Sequence, residues 1–170
     1  MIRRHAPRGV GGTARPPLLP LGSVFQYDPL MPSDLAVEDL SGFLTDPILA
    51  TLATYGADGT VRLSPVWFEW MDGGFDVVVA DGDVKARHLK RDPRASLVVY
   101  KNEPPYWGVE IRTRADLSSD GAAEAERRLA YKYLESAKAD TWLSSTTWDP
   151  LLVRLDPGEL RIWDFADEDL

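Results

Sequence analysis

Short apolar segments separated by tight turns occupy most of the chain after its first third. Tetrapeptides containing glycine and aspartate, residues that favour tight turns, occur at 56–59, 71–74 and 156–159. Segments rich in β-branched and aromatic residues flank each turn, as expected for strands. Short turns favour antiparallel neighbours, because a parallel pair needs a crossover of roughly a dozen residues or more. The sequence therefore predicts a mainly antiparallel β protein.

About seven segments have the composition or the period-two alternation of strands: 48–55, 60–70, 75–80, 94–100, 109–115, 151–155 and 160–165. Three helices are predicted beside them. The first begins at Ser33, a plausible N-cap, and ends at Asp46-Pro47. The second is a short basic helix after the loop 81–83, and the third runs from Asp120 through Lys138 with Glu124 paired to Arg128. This pattern favours a β-barrel decorated by helices.

The segment 60–70 places bulky residues on both of its faces. One face can fill the barrel, whereas the other requires a planar ligand, a second subunit, or both. Pro65 cannot donate a hydrogen bond to a neighbouring strand, so it indicates a sheet edge, a bulge or a break in pairing. A buried barrel strand with a bulge is the alternative interpretation.

Composition excludes several classes of site. A chain of 170 residues suits one domain, and the absence of cysteine excludes disulfides, thiolate metal sites and cysteine nucleophiles. Two histidines, His5 and His88, cannot build a histidine-rich metal centre. No run of about 18 apolar residues is present, so no membrane span is expected. The basic start lacks a following apolar block, which predicts a cytoplasmic protein.

The first 32 residues differ from the remainder. They contain six prolines, four glycines, four arginines and one acid, and this composition predicts a flexible arm. The alternative is an arm that folds over a partner subunit or ligand through Phe25, Tyr27 and Leu30. Residues 33–170 form the predicted domain and carry 15 basic and 26 acidic side chains. That acidic balance argues against nucleic acid as a partner.

A cluster of positive charge interrupts this acidic domain. Five cations and one acid fall within residues 85–94 of a chain whose formal net charge is −8. The cluster follows a strand and a tight loop, so Lys85 and Arg87 lie at a helix start with unpaired backbone N–H groups. We interpret this start as a phosphate site. For Lys90, Arg91 and Arg94 a solvated helix face is the favoured interpretation.

Five sequence fragments in order resemble a known family: 48–54, 58–60, 64–68, 85–89 and 91–97. The series is similar to the split-barrel flavin and deazaflavin oxidoreductases related to pyridoxamine phosphate oxidase. Within that family the series most resembles the branch that uses coenzyme F420. The resemblance covers about residues 35 to 165, and the stretch between 48 and 97 carries its specificity.

The resemblance implies a six-stranded antiparallel split β-barrel that forms a homodimer with two cofactor sites at the subunit interface. It further implies that the strand of Ser64 lies along the cofactor ring and that Lys85 and Arg87 bind the phosphate side. His88 stands where the branch commonly has asparagine, and histidine can also donate to a phosphate. The expected cofactor-binding residues are Ser64, Pro65, Val66, Trp67, Ala80, Lys85, Arg87 and His88.

The resulting hypothesis is an oxidoreductase that transfers a hydride between coenzyme F420 and a small conjugated organic substrate. Two alternatives remain: an FMN-dependent enzyme of the same architecture, and a non-catalytic binder of a flavin, deazaflavin or tetrapyrrole. Tyr106 and Trp107 are candidates for a wall of the substrate pocket that the partner subunit contributes, although a core or dimer-interface role is at least as consistent with them. No catalytic residue is assigned, because Ser64 lacks the G-x-S-x-G context of a hydrolase nucleophile.

Overall fold

The computed structural model describes residues 37–104 and 106–163. A 3-10 helix, Val37–Leu40, leads into α1, Ser41–Thr45, which ends before Asp46 and Pro47 as predicted. Within the described residues the strands are β1 (Ala50–Tyr55), β2 (Val61–Val66), β3 (Glu69–Met71), β4 (Gly74–Ala80), β5 (Arg94–Tyr100), β6 (Gly108–Arg114), β7 (Asp116–Ser118), β8 (Pro150–Leu155) and β9 (Glu159–Trp163). The other helices are α2 (Val84–Arg91), α3 (Ala122–Tyr133) and α4 (Ser136–Ser145). The predicted arm and the predicted cap at Ser33 lie outside these residues.

Two antiparallel sheets form the body of the protein. Their strand orders are β2-β1-β5-β6-β9 and β3-β4-β8-β7. A single hydrophobic core contains residues of both sheets, with Leu52, Leu97 and Ile111 from the first and Phe75 and Val153 from the second. The sheets therefore pack against each other without closing into one continuous ladder in the described residues. This is a split barrel, and the predicted mainly antiparallel β architecture is confirmed.

Several short connections pass from one sheet to the other. The turn between β8 and β9 joins strands of different sheets, so the prediction that it joins paired neighbours is wrong. The turn at 56–59 does join paired strands, since β1 pairs with β2. The turn at 71–74 also forms a hairpin, in which Asp72 and Gly73 both have positive φ, at 50° and 74°. Turn chemistry thus located the reversals but did not decide which strands pair.

The segment 60–70 is two strands rather than the single strand predicted. β2 ends at Val66 and β3 begins at Glu69, and the two belong to different sheets. Between them, Phe68 is fully buried in the core while Trp67 stacks on Tyr133. β2 is an edge strand, which is the position that Pro65 tolerates. Pro65 was expected at a sheet edge, a bulge or a break in pairing, and the structure places it on an edge strand.

The helix predicted from Asp120 through Lys138 is also two elements. α3 begins after Gly121, which is the N-cap in place of Asp120 and has a φ of 74°, a conformation that favours glycine. Glu124 pairs with Arg127 at 2.9 Å rather than with Arg128. The chain becomes extended at Leu134, and α4 follows from Ser136 as a separate helix. No helix in the described part is both long and apolar enough to cross a bilayer.

A buried carboxylate fixes α3 and β8 to β4. Asp76, only 3% exposed, lies 3.1 Å from the Arg154 guanidinium and 3.5 Å from that of Arg128. Arg128 also contacts Glu69 at 2.7 Å, which links α3 to β3. Removing one partner of a buried ion pair usually costs about 3–5 kcal/mol, because the other charge stays buried. This network holds α3 over the second sheet, next to the cavity described below.

Candidate functional site

A cavity of about 360 Å³ opens where the end of β2, the end of β4 and three helices meet. This volume falls within the range of small-molecule pockets, roughly 300–1,000 Å³. Its lining is mostly apolar, with three charged residues at α2 and α3. The lining residues are Leu49, Pro65, Val66, Trp67, Val78, Val79, Ala80, Asp83, Lys85, Glu126, Leu129, Trp142 and Trp148.

Three tryptophans line the cavity, one between β2 and β3 and two in α4 and the loop after it; we call them the tryptophan cluster: Trp67, Trp142 and Trp148. The ring centroids of Trp67 and Trp142 are 5.4 Å apart. Those of Trp142 and Trp148 are 6.1 Å apart, with the rings nearly perpendicular at 89°. The three rings therefore pack against one another, and together they present an aromatic surface that a planar, conjugated ligand can contact.

Tyr133 holds the ring of Trp67 in place. The two rings stack with centroids 5.0 Å apart and planes 9° apart. The Tyr133 hydroxyl donates to the Ile48 carbonyl at 2.5 Å and accepts from the Phe68 N–H at 3.2 Å. Burial raises the pKa of Tyr133 to about 12, so the hydroxyl stays neutral and remains a donor at ordinary pH. Tyr133 thereby supplies hydrogen-bond partners at the connection between β2 and β3, where the chain passes from one sheet to the other.

Lys132 supports the same segment from the neighbouring position on α3. Its ammonium donates to the Leu44 carbonyl at 2.8 Å and to the Phe68 carbonyl at 3.0 Å, and it lies 4.1 Å from the centre of the Phe68 ring. Burial lowers the pKa of Lys132 to about 8. Sequence reasoning missed the roles of both Lys132 and Tyr133, because their partners are distant in sequence.

At the start of α2 an acidic side chain already occupies part of the predicted phosphate site. The Asp83 carboxylate caps the helix by accepting from the Lys85 backbone N–H at 2.7 Å, and it pairs with the Lys85 ammonium at 2.9 Å. Burial opposes ionisation of Asp83, but the hydrogen bonds from Lys85 outweigh it and lower the pKa. An anion that enters the cavity would therefore share Lys85 with Asp83.

The other cations of the basic cluster lie outside the cavity lining. Arg87 is exposed, and its guanidinium donates to the Gly82 carbonyl at 2.5 Å. The remaining three have partners within the chain: Lys90 pairs with Asp81, Arg91 donates to the Tyr55 carbonyl, and Arg94 pairs with Asp92. Lys90 and Arg91 thus lie on a solvated helix face, as expected, whereas Arg94 is the first residue of β5 and not part of the helix.

His88 faces a different depression. Its Nδ1 lies 3.1 Å from the Thr54 hydroxyl, and the ring lines an open hollow of about 700 Å³ beside the β1–β2 turn. Arg62 also lines this hollow. Ser64, on β2, pairs with Leu52 of β1 and is absent from the lining of the first cavity.

Tyr106 and Trp107, the candidates for the substrate pocket, are absent from the lining of the cavity in this chain. Tyr106 is exposed, and Trp107 packs edge-on against Phe43 with ring centroids 6.5 Å apart. Trp107 thus contacts the periphery of the core, which is the alternative role considered for it.

The cavity unites five of the predicted site residues: Pro65, Val66, Trp67, Ala80 and Lys85. It adds residues that sequence reasoning did not single out, above all Glu126, Trp142 and Trp148. Glu126 had a recognisable signal, because it follows Ala122 by four residues and precedes Leu129 by three, on the apolar face of α3. The two tryptophans had none, since nothing local indicates which surface they cover.

Comparison with known proteins identifies related sequences and folds. The sequence pattern of a family described as pyridoxamine 5'-phosphate oxidase matches residues 36–164. A conserved hypothetical protein from Mycobacterium tuberculosis has a similar structure, with a TM-score of 0.70 and 21% identity over 82% of this chain and 92% of that one. No curated protein matches the chain significantly.

Two further structures have names that mention a ligand. An F420 reductase has a TM-score of 0.57 and 23% identity, over 71% of this chain and 94% of that one. A heme storage protein from Vibrio cholerae has a TM-score of 0.58 and 20% identity, over 74% of this chain and 92% of that one. At such identities the likeness concerns the fold, and one fold can carry several functions.

Proposed function

The chain belongs to the pyridoxamine 5'-phosphate oxidase family, and from that premise we propose that it is an oxidoreductase using the deazaflavin coenzyme F420. The cofactor binds in the cavity and exchanges a hydride with a small conjugated organic substrate. The observation that carries this proposal is the meeting of the tryptophan cluster and Lys85 in one cavity. A flat ring with a phosphate arm needs both surfaces. Structural likeness to an F420 reductase supports the choice of cofactor.

The residues of the cavity fit such a group. Trp67 and Pro65 provide an apolar surface for the ring, and Lys85 lies where a phosphate arm can reach it. Arg87 adds positive charge outside the lining. A deazaflavin supplies two-electron hydride transfer when bound, so the protein needs chiefly to orient the ring and exclude water.

We also propose that two copies of the chain form a dimer with the cavity at their interface. Along the edge strand β2, Val61 is 56% exposed and Leu63 is 68% exposed, and Pro65 continues this apolar row. Pro65 also lines the cavity, as does Leu49, which is 51% exposed. A second copy that covers this row would bury apolar surface and close the cavity in one step.

Titration of tryptophan fluorescence tests the proposal directly, because three tryptophans line the cavity. We expect coenzyme F420 to quench the emission at lower concentration than FMN or hemin does. Trp142→Phe should reduce the amplitude of quenching, whereas the same change at Trp163, on β9, should not. Turnover of reduced coenzyme F420 with enones, quinones or biliverdin then tests catalysis.

The titration also separates the alternatives. Tighter binding of FMN would replace the deazaflavin enzyme by a flavin enzyme of the same architecture. Tight binding of any of the three without turnover would indicate a storage or shielding protein, as the structural likeness to a heme storage protein suggests. Failure of all three to bind would refute the placement of a cofactor in this cavity.

A further inference from the structure

The buried face of α3 carries a carboxyl group that lacks a complete set of partners. Glu126 is only 8% exposed, and its Oε1 is inaccessible and has no hydrogen-bond partner in the described part of the chain. Neighbouring acids and bases on this helix are paired. Arg127 binds Glu124, and Arg128 binds Glu69.

A buried carboxyl group without hydrogen-bond partners lowers the free energy of unfolding unless another interaction compensates for it. An unpaired polar atom in an apolar environment costs free energy, and an unpaired charge costs more. Burial raises the pKa of Glu126, which favours the neutral carboxyl group. The same position on an apolar helix face would accept leucine without that cost. The presence of a glutamate there is therefore consistent with a partner that the free chain does not contain.

The position of Glu126 limits what that partner can be. The side chain lines the cavity together with Leu129 and Trp142. The one cation in the same lining, Lys85, is already paired with Asp83. The remaining candidate is a ligand in the cavity that presents polar atoms beside a flat apolar body, which the tryptophan cluster would contact. Rotation of the carboxyl group about its last side-chain bond would turn Oε1 toward such a ligand.

On the basis of the cofactor binding proposed above, we propose that Glu126 hydrogen-bonds the cyclic imide edge of the bound ring. A neutral carboxyl group carries a donor and an acceptor side by side. A flavin or deazaflavin presents an imide N–H next to a C=O, so the two groups can form a paired hydrogen bond. Glu126 is then a specificity-determining residue for rings with this edge, over planar rings that lack it.

Four proteins test this assignment: the wild type, Glu126→Leu, Glu126→Gln and, as a control on the same helix, Glu124→Gln. Each is titrated with coenzyme F420, with FMN and with FMN methylated at the imide nitrogen. We expect Glu126→Leu to weaken binding of the first two about tenfold. Glu126→Gln keeps a donor and an acceptor and should lose less than half of that effect on a logarithmic scale. Glu124→Gln should bind as the wild type does, since Glu124 is exposed and absent from the lining.

Two further measurements distinguish recognition from a structural role. The methylated flavin should bind the wild type about tenfold more weakly than FMN, whereas Glu126→Leu should not discriminate between them. Without ligand, Glu126→Leu should melt about 2–4 °C higher than the wild type, because it removes a buried unpaired polar atom.

Equal affinities of the wild type and Glu126→Leu for coenzyme F420 and FMN would overturn the role of Glu126 while leaving the proposed function intact. Discrimination against the methylated flavin that persists in Glu126→Leu would overturn it as well. Failure of the wild type to bind either cofactor would overturn the proposed function and the role of Glu126 together.

Discussion

Replacing Lys85 by methionine isolates the contribution of one cation to cofactor binding. The Lys85 side chain is 19% exposed and lies in the cavity lining, with its ammonium 2.9 Å from the Asp83 carboxylate. Methionine keeps an unbranched apolar stem of similar length and good helix propensity. The change therefore removes the charge with little effect on packing.

The expected magnitude follows from the competition between Asp83 and the phosphate. A hydrogen bond to a charged group contributes about 1.5–3 kcal/mol. The ammonium already pairs with Asp83, so a phosphate replaces an existing contact rather than a fully solvated one. We therefore expect the lower half of that range, about 2 kcal/mol, which is a loss of roughly 30-fold in affinity.

Asp83→Asn should change affinity in the opposite direction. Asparagine retains the ability to cap α2, as the Asp83 side chain does by accepting from the Lys85 N–H. It removes the negative charge that competes for the Lys85 ammonium. We expect the affinity for a phosphate-bearing cofactor to rise a few-fold, about 1 kcal/mol at most.

Lys90→Met is the matched control. Lys90 has the same charge on the same helix, but it pairs with Asp81 and is absent from the cavity lining. Fluorescence titration of the three variants with coenzyme F420, at two ionic strengths, measures all of these effects. Equal losses of affinity for Lys85→Met and Lys90→Met would refute the reasoning. Long-range attraction by the positive charge of the helix, rather than a specific contact with Lys85, would then account for binding.

Three other outcomes can be checked on the ligand-free protein. Leu63→Glu should convert a dimer into a monomer in sedimentation at micromolar concentration, whereas Leu160→Glu on the opposite edge strand should not; a wild type that is already monomeric would contradict this expectation. Tyr133→Phe should lower the free energy of unfolding in urea by about 1–2 kcal/mol, since it removes the hydroxyl between Ile48 and Phe68 while keeping the ring stacked; an unchanged midpoint would count against that role. Between pH 8 and 10.5, Lys132 is protonated in the unfolded chain but has lost its proton in the folded chain, so the free energy of unfolding should rise with pH. Allowing for solvent screening, we expect a rise of about 1–2 kcal/mol across this window. The rise should be smaller in Lys132→Met, and equal slopes for the two proteins would exclude Lys132 as its source.

Elements with local causes were predictable. The β1–β2 hairpin follows from the turn residues at 56–59, and the end of α1 follows from Asp46-Pro47. The helix after the loop 81–83 was expected, and Asp83 caps it. In each case the determining interactions lie within a few residues, so composition and spacing contain the necessary information.

Elements that depend on distant contacts were not predictable. The break at Trp67 and Phe68 depends on Tyr133 and Lys132, more than 60 residues later in the chain. The helix from Asp120 was also predicted too long, since α3 ends at Tyr133 and α4 begins at Ser136. The β8–β9 turn joins strands of different sheets, and this could not be predicted either, because a turn sequence does not specify the partners of the strands it joins.

The mainly antiparallel architecture, the positions of most strands and the basic helix could be predicted from the amino-acid order, because hydrophobic period, turn residues and helix caps are local properties. The sequence also placed Lys85 and Trp67 among the candidate site residues. Only the tertiary structure brought Trp142, Trp148 and Glu126 to the same cavity, and only it showed that Asp83 holds the ammonium of Lys85. A cavity is a property of packing between elements far apart in the chain, and no local pattern records which side chains will surround it.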